Sequence, residues 1–295
     1  WSRGLGDVYK RQIYSMLIKD LWSPNDERCL LDFERSLKTG DVAGALFAIE
    51  NASEVDDRRC RSLLERWAER ANNYYSRGRV EGPVEALRWV LVDELDFRGE
   101  RQASQTPNAS YLSQVIKSRR GLPILLSSIW LIVGRVAGFQ VDGIGLPGHF
   151  IVRVSPTDGE AELVDPFTGG PRLTVADCRR IVRDVSDGRV RWEDSFLEPA
   201  ENTDIVERVL RNLCNTFVKT RNSDGLYRAL RFMTALRPDA PDLRLSLARM
   251  NEELGALDDA RTGLQELVDR FPQSDEGREA AKRLAAFGNA ARLRN

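Results

Sequence analysis

The chain contains one histidine, His149, in 295 residues. A single imidazole excludes His-cluster metal sites and two-histidine mechanisms, so any imidazole chemistry must pass through that position. Its carboxylate partner depends on a hairpin. His149 to Val154 (HFIVRV) and Ala161 to Asp165 (AELVD) read as two short strands, separated by the turn-forming Ser-Pro-Thr-Asp-Gly. Strand side chains alternate faces, so an odd-length loop centred on Thr157 sets His149 opposite Asp165, Ile151 opposite Leu163 and Arg153 opposite Ala161. An even-length loop puts His149 and Asp165 on opposite faces, and the sequence leaves both registers open.

The nucleophiles are less promising. The four cysteines, at 29, 60, 178 and 214, form no C-x-x-C pair and no regular spacing. Neither a thiolate metal site nor a disulfide framework is signalled, no metal or cofactor is expected, and a reducing, cytoplasmic location follows. Cys29 and Cys60 fall on apolar helical stripes as small hydrophobes. Cys178 has Arg179 and Arg180 beside it, which favour thiolate, but its helical context reads as a half-buried structural cysteine. Ser118, Ser127 and Ser128 lie within thirty-one residues of His149 in sequence, yet no G-x-S-x-G elbow surrounds any of them.

Periodicity shows which elements carry these groups. From Ile13 to about Phe97 large apolar residues recur at three and four, as in Cys60, Leu63, Leu64, Trp67 and Ala71, which predicts helices. Pro83 opens another helix, and Arg98 to Ala109 reads as a loop. After a short helix over Tyr111 to Lys117, Gly121-Leu122-Pro123 interrupts, and Pro123 suits the first position of an apolar helix running to about Val136 and capped by Gly138. Gly121 to Gly134 carries no charge over fourteen residues, short of the ~20 that cross a bilayer, so no membrane span is expected. The formal net charge of −1 argues against a surface built for nucleic acid.

Beyond Pro199 the pattern is helical and repeats. Pro238 and Pro272 stand 34 residues apart, the tetratricopeptide period, and the register holds at Leu213/Leu247, Leu226/Ala260, Leu230/Leu264 and Met233/Leu267. The alternative is an ordinary helical bundle with a coincidental spacing. Residues 1–12 (WSRGLGDVYKRQ) show no helical period continuous with the next segment and read as a non-native leader. The expected division is therefore 1–12, then 13–199, then 200–295.

Three runs carry a resemblance: SRRGLPILLSS from Ser118, VDGIGLPGHFIVRV from Val141 and ELVDPFTGG from Glu162. Together with PNASYL from Pro107 and ELDFR from Glu94, they resemble the SirB-type transglutaminase-like family over roughly residues 20 to 287. The resemblance implies an α+β fold, with a helical N-terminal region on a transglutaminase-like (papain-like) core, then an all-α, TPR-like array of helical hairpins. It also implies a bacterial cytoplasmic protein with a regulatory role. In active members a Cys at the start of the central helix attacks, a His takes its proton and an Asp orients the His. Carried over by motif, the His role falls on His149 and the Asp role on Asp165, while the Cys slot falls on Pro123. Proline has neither thiol nor hydroxyl. The motif positions Asn108, Arg120, Gly121, Pro123, Gly148, His149 and Asp165 are the expected binding residues, with no residue assigned as catalytic.

The expected function is a non-catalytic, transglutaminase-like scaffold or regulator that binds a protein or peptide through residues 204–287, because helical hairpin arrays present a concave surface. Nucleic acid and membrane are not expected partners. The competing readings are a hydrolase or acyltransferase using His149 and Asp165 with an unconventional nucleophile, and a small-ligand sensor using the same cleft.

Overall fold

A computed structural model describes residues 22–50, 56–100, 106–156 and 159–292, with side chains described to residue 287. The expected leader and the first helical residues after it lie outside the described residues, as does Thr157. The described chain divides into a larger compact unit, Asp32–Thr220, and a smaller one made of residues 22–31 with those from Arg221 onward.

The larger unit begins in helix α1 (Pro24–Thr39) and continues through α2 (Val42–Ile49), α3 (Asp57–Ser76) and α4 (Pro83–Arg88), the last running on as a π-turn over Trp89–Glu94. Strand β1 (Arg98–Gly99), α5 (Leu112–Ser118) and β2 (Arg120–Gly121) lead into the central helix α6 (Pro123–Val136). Strands β3 (Gln140–Ile144), β4 (Ile151–Ser155), β5 (Glu162–Val164) and β6 (Arg172–Leu173) form one antiparallel sheet in that order, followed by α7 (Val175–Val185) and α8 (Asn202–Thr220).

The uncharged run is the reason for α6. Pro123 occupies its first turn with φ already set for a helix, and every residue from Ile124 to Gly134 is buried. Gly134 lets the helix approach the sheet: a Cβ there would come within 2.5 Å of Val141 Cγ2. The pairing Val141↔Val154 places those side chains on the same sheet face, towards α6, while Ile144 and Ile151 point to the other face. There Cys178 and Val182 of α7 join Ile144, Leu146 and Ile151 in a second apolar cluster. A strand buried on both faces reads as a near-continuous hydrophobic run, which is what FIVRV is apart from its arginine.

The hairpin expectation changes here. Strand β4 starts at Ile151, not His149, and it pairs with β5 as Val152↔Val164 and Arg153↔Leu163, two residues displaced from the expected register. A shift of two preserves face parity, so His149 and Asp165 remain on one side, diagonal to each other beyond the end of the ladder. The expected boundary near Pro199 falls just before α8. Helix α8 lies in the larger unit, where Ile205, Val206, Val209, Leu210, Leu213 and Phe217 form its buried stripe and the helix packs against α2 and α6.

In the smaller unit, Trp22 packs on Tyr227 and Phe232 at ring separations of 6.3 and 6.0 Å, and Asp26 pairs with Arg228. Helices α9 (Ser223–Leu236), α10 (Pro241–Glu253), α11 (Leu257–Arg270) and α12 (Asp275–Arg292) complete it, each joined to the next by a turn of three or four residues. Helices α9 and α11 begin and end 34 residues apart, and α10 and α12 begin 34 apart. Met233, Leu264 and Leu267 are buried as expected of an inner face, but Leu230 and Leu247 are only half-buried. Leu245 and Ala248 take the core position on α10 instead, and Leu213 belongs to the larger unit. No described helix is long and apolar enough to cross a membrane.

Candidate functional site

A pocket of about 260 Å³ opens in the larger unit beside the start of α6. Leu122, Pro123 and Ile124 line it on one side, Gly148, His149 and Phe150 continue the wall, and Arg208, Asn212, Asn215, Thr216 and Lys219 of α8 complete it. Pro123 and His149, far apart in sequence, therefore face one cavity.

The loop Leu146–His149 sets the imidazole. His149 N–H donates to Leu146 O at 3.1 Å, closing a turn in which Gly148 has φ +75°, a conformation that costs a residue with a Cβ about 1–2 kcal/mol. Val185 occupies the space a Cβ at Gly148 would need. The ring of His149 meets Phe167 edge-on at 5.9 Å, and the residue is 8% exposed.

His149 Nε2 lies 3.1 Å from Asp165 Oδ1. The approach is close but out of line with the ring N–H, so Nε2 has no hydrogen-bond partner in the sense of a directed bond. Asp165 is held by its own turn, Oδ1 accepting from Phe167 N–H and Oδ2 from Thr168 Oγ1, each at 3.0 Å. The carboxylate is thus anchored before it meets the imidazole.

Arg208 fastens the same loop from α8. Its Nη2 donates to Leu146 O at 2.9 Å and His149 O at 2.8 Å, and the guanidinium sits 5.4 Å from the centre of the Phe150 ring. Burial lowers its pKa from the usual arginine value, which still leaves it charged.

The remaining candidates do other things. Arg120 and Gly121 form β2, which pairs parallel to Arg98 and Gly99 of β1. Arg120 binds Asp96 Oδ2 at 2.7 Å, and Arg119 stacks over Trp67 and Phe97 at 4.6 and 4.8 Å. The ELDFR and RRG runs are therefore two halves of one structural clamp just before α6. Asn108 is exposed on a 3₁₀ turn (Pro107–Ser110) whose Ala109 O accepts from Leu122 N–H at 3.3 Å, and none of Asn108, Arg120 and Gly121 lines the pocket.

The alternative nucleophiles are turned away. Ser127 Oγ donates to Phe150 O and Ser128 Oγ to Ile124 O, both buried, while Ser118 is tied to Arg120. Cys178 is wholly buried, and desolvation pushes its thiol up to about 11. Burial likewise pushes Cys214 to about 11.

Sequence reasoning misses the α8 wall. Arg208, Asn212, Asn215 and Lys219 recur at i, i+4, i+7 and i+11, one polar stripe beside the buried apolar one, but in sequence the segment reads as the start of a repeat array.

Residues 58–211 match the model of the transglutaminase-like superfamily, a span that reaches into α8. A UPF0162 protein of Xylella fastidiosa is 30% identical over 264 residues, covering 84% of this chain and 92% of the relative. The UPF0162 protein YchA of Escherichia coli is 23% identical over 199 residues, 66% of this chain and 72% of its own. F-box only protein 21 of Mus musculus is 28% identical over 186 residues, 58% of this chain and 28% of that longer one. With more than half of its length matched by the family model, the chain belongs to the transglutaminase-like superfamily.

Proposed function

We propose that this protein is a non-catalytic, transglutaminase-like scaffold of the SirB type, which keeps the family's cleft for binding and carries a TPR-like array for a protein partner. The observation that carries this reading is Pro123 at the start of α6, lining the pocket that His149 also lines. A cysteine nucleophile needs a thiolate against the imidazole, and a helix N-terminus helps to supply one. Proline offers no sulfur, and it also lacks the backbone N–H that could stabilise an oxyanion there. Cys178, the remaining candidate thiol, is sealed in the cluster under α7 with its pKa far above neutrality.

The 34-residue offset of α9 and α11, and of the starts of α10 and α12, supports the TPR-like reading of residues 204–287 from Ser223 onward. The bacterial relatives and the unpaired cysteines fit a bacterial cytoplasmic protein.

The test is an assay of the purified chain for amide and ester hydrolysis and for amine incorporation into glutaminyl peptides. The expected result is no turnover, with Cys178 resistant to iodoacetamide at pH 7.5. Turnover that is lost in His149→Ala would place the protein among the enzymes.

A further inference from the structure

We propose that the pocket beside His149 binds a small molecule bearing a carboxylate or phosphate group, with Arg208, Lys219, Asn212 and Asn215 as its recognition wall. The proposal rests on the reading of this cleft as a binding site and supplies the chemical class of its ligand. Four observations converge. Arg208 enters the pocket as a partly desolvated cation, and no carboxylate among the described residues pairs with it, its bonds going to the carbonyls of Leu146 and His149. Lys219 is a second lining cation and likewise has no ion-pair partner among the described residues. The side-chain amides of Asn212 and Asn215 make no hydrogen bond within the described residues, so four donors face the cavity unused. The opposing wall is the N-terminal turn of the fourteen-residue helix α6, whose dipole adds partial positive charge, and the buried His149 Nε2 is without a directed partner.

Among the described residues, no acid lines this pocket. Glu207 is engaged with Arg211, and Asp165 is bonded within its own turn. The groove beside α7 shows the contrast: its arginines 179, 180 and 183 each meet an aspartate, at 3.4, 2.7 and 3.2 Å from Asp194, Asp177 and Asp184. Those charges are already compensated, whereas those at α8 are not. At about 260 Å³ the cavity falls below the ~300–1,000 Å³ of drug-sized ligand sites, so its occupant is small.

The experiment titrates the full chain with inorganic phosphate and, separately, with glutarate, at constant ionic strength, following heat of binding and thermal midpoint. Saturable binding of at least one probe is expected, and the tighter one identifies the group recognised. Because Arg208 also holds the His149 loop, the decisive variants are Lys219→Glu and Asn215→Asp, both on the exposed surface of α8. Each should weaken binding at least tenfold, while Arg189→Glu, an exposed site with the same change of charge as Lys219→Glu, should not. Absence of binding by both probes, or equal binding by all three variants, overturns the proposal. The same preparations are assayed for hydrolysis. An inert protein that binds no anion removes only the anion site, whereas His149-dependent turnover removes the non-catalytic reading.

Discussion

The two walls of the pocket are built on opposite principles. The α6 wall is a consequence of packing: Pro123 opens a helix whose next eleven residues are buried, and His149 is held by a tight turn, an edge-on phenylalanine and a carboxylate fixed by its own loop. The α8 wall presents polar groups that the fold does not consume. Its apolar stripe is buried, but the side chains of Asn212, Asn215 and Lys219 make no hydrogen bond or ion pair among the described residues. Where side chains are fully used by the fold, substitution reads as stability; where they are idle, it should read as binding. That distinction can be attacked from both sides.

The largest effect belongs to the packed side. Trp130 of α6 is 1% exposed, and its ring lies so close to Gly170 that a Cβ there would sit 2.9 Å from Cη2. Trp130→Ala should destabilise the protein by about 3–5 kcal/mol, the range for deleting a buried large aromatic. Chemical denaturation measures it, and a loss under about 1 kcal/mol would mean that α6 is not the core of this unit.

Next is Glu50, which ends α2, the helix packed against both α6 and α8. Its carboxylate accepts from Ser113 N–H at 2.8 Å and from the Ser113 hydroxyl, yet burial outweighs those bonds and raises its pKa from 4.5 to about 7. The folded state therefore holds this proton more tightly than the unfolded chain does. The resulting stabilisation is full below pH 4.5 and is lost as pH rises through 7, on the order of 3 kcal/mol at 1.36 kcal/mol per pKa unit. Glu50→Gln should flatten this dependence, which unfolding midpoints at pH 5 and pH 8 would reveal. An unchanged slope in the variant assigns it to another group.

Arg208 stands between the two classes, since it both fastens the His149 loop and charges the pocket. Arg208→Met should cost about 1–3 kcal/mol by removing the side-chain donor to His149 O and one of the two donors to Leu146 O, which keeps the His149 N–H, and should also weaken anion binding. Loss of one effect without the other would divide the walls more sharply than the geometry does.

The same division explains what can be read from sequence. The central helix is legible because an uncharged run opened by proline has few other destinations, and the single histidine announces itself. The partnership of His149 with Asp165 needs only the odd-loop parity, which the observed register keeps although it is displaced by two residues. The resemblance marks Arg120 and Gly121 as binding residues, and a local motif does not show that neither lines the pocket beside His149. Their pairing with Arg98 and Gly99 and the Asp96–Arg120 ion pair depend on segments more than twenty residues apart. The α8 wall is hidden for a different reason. An amphipathic helix looks the same whether its polar face meets water or a pocket, and only the tertiary fold shows that Arg208 and His149 share a cavity.

The smallest expected effect is the most diagnostic. Asn212→Ala and Asn215→Ala remove amides that bond nothing within the described residues, from the interior of a nineteen-residue helix in which alanine is intrinsically preferred. Stability should change by no more than about 0.5 kcal/mol, with stabilisation the expected sign, because the helix gains propensity and loses no contact. Binding of the phosphate or glutarate probe should fall in the same variants. Residues that cost stability when kept and binding when removed are the signature of a surface retained for a ligand. If either substitution instead destabilises the chain by more than about 1 kcal/mol, that asparagine has a structural partner, and the contrast between a wall that holds the fold and a wall that holds a ligand fails at that residue.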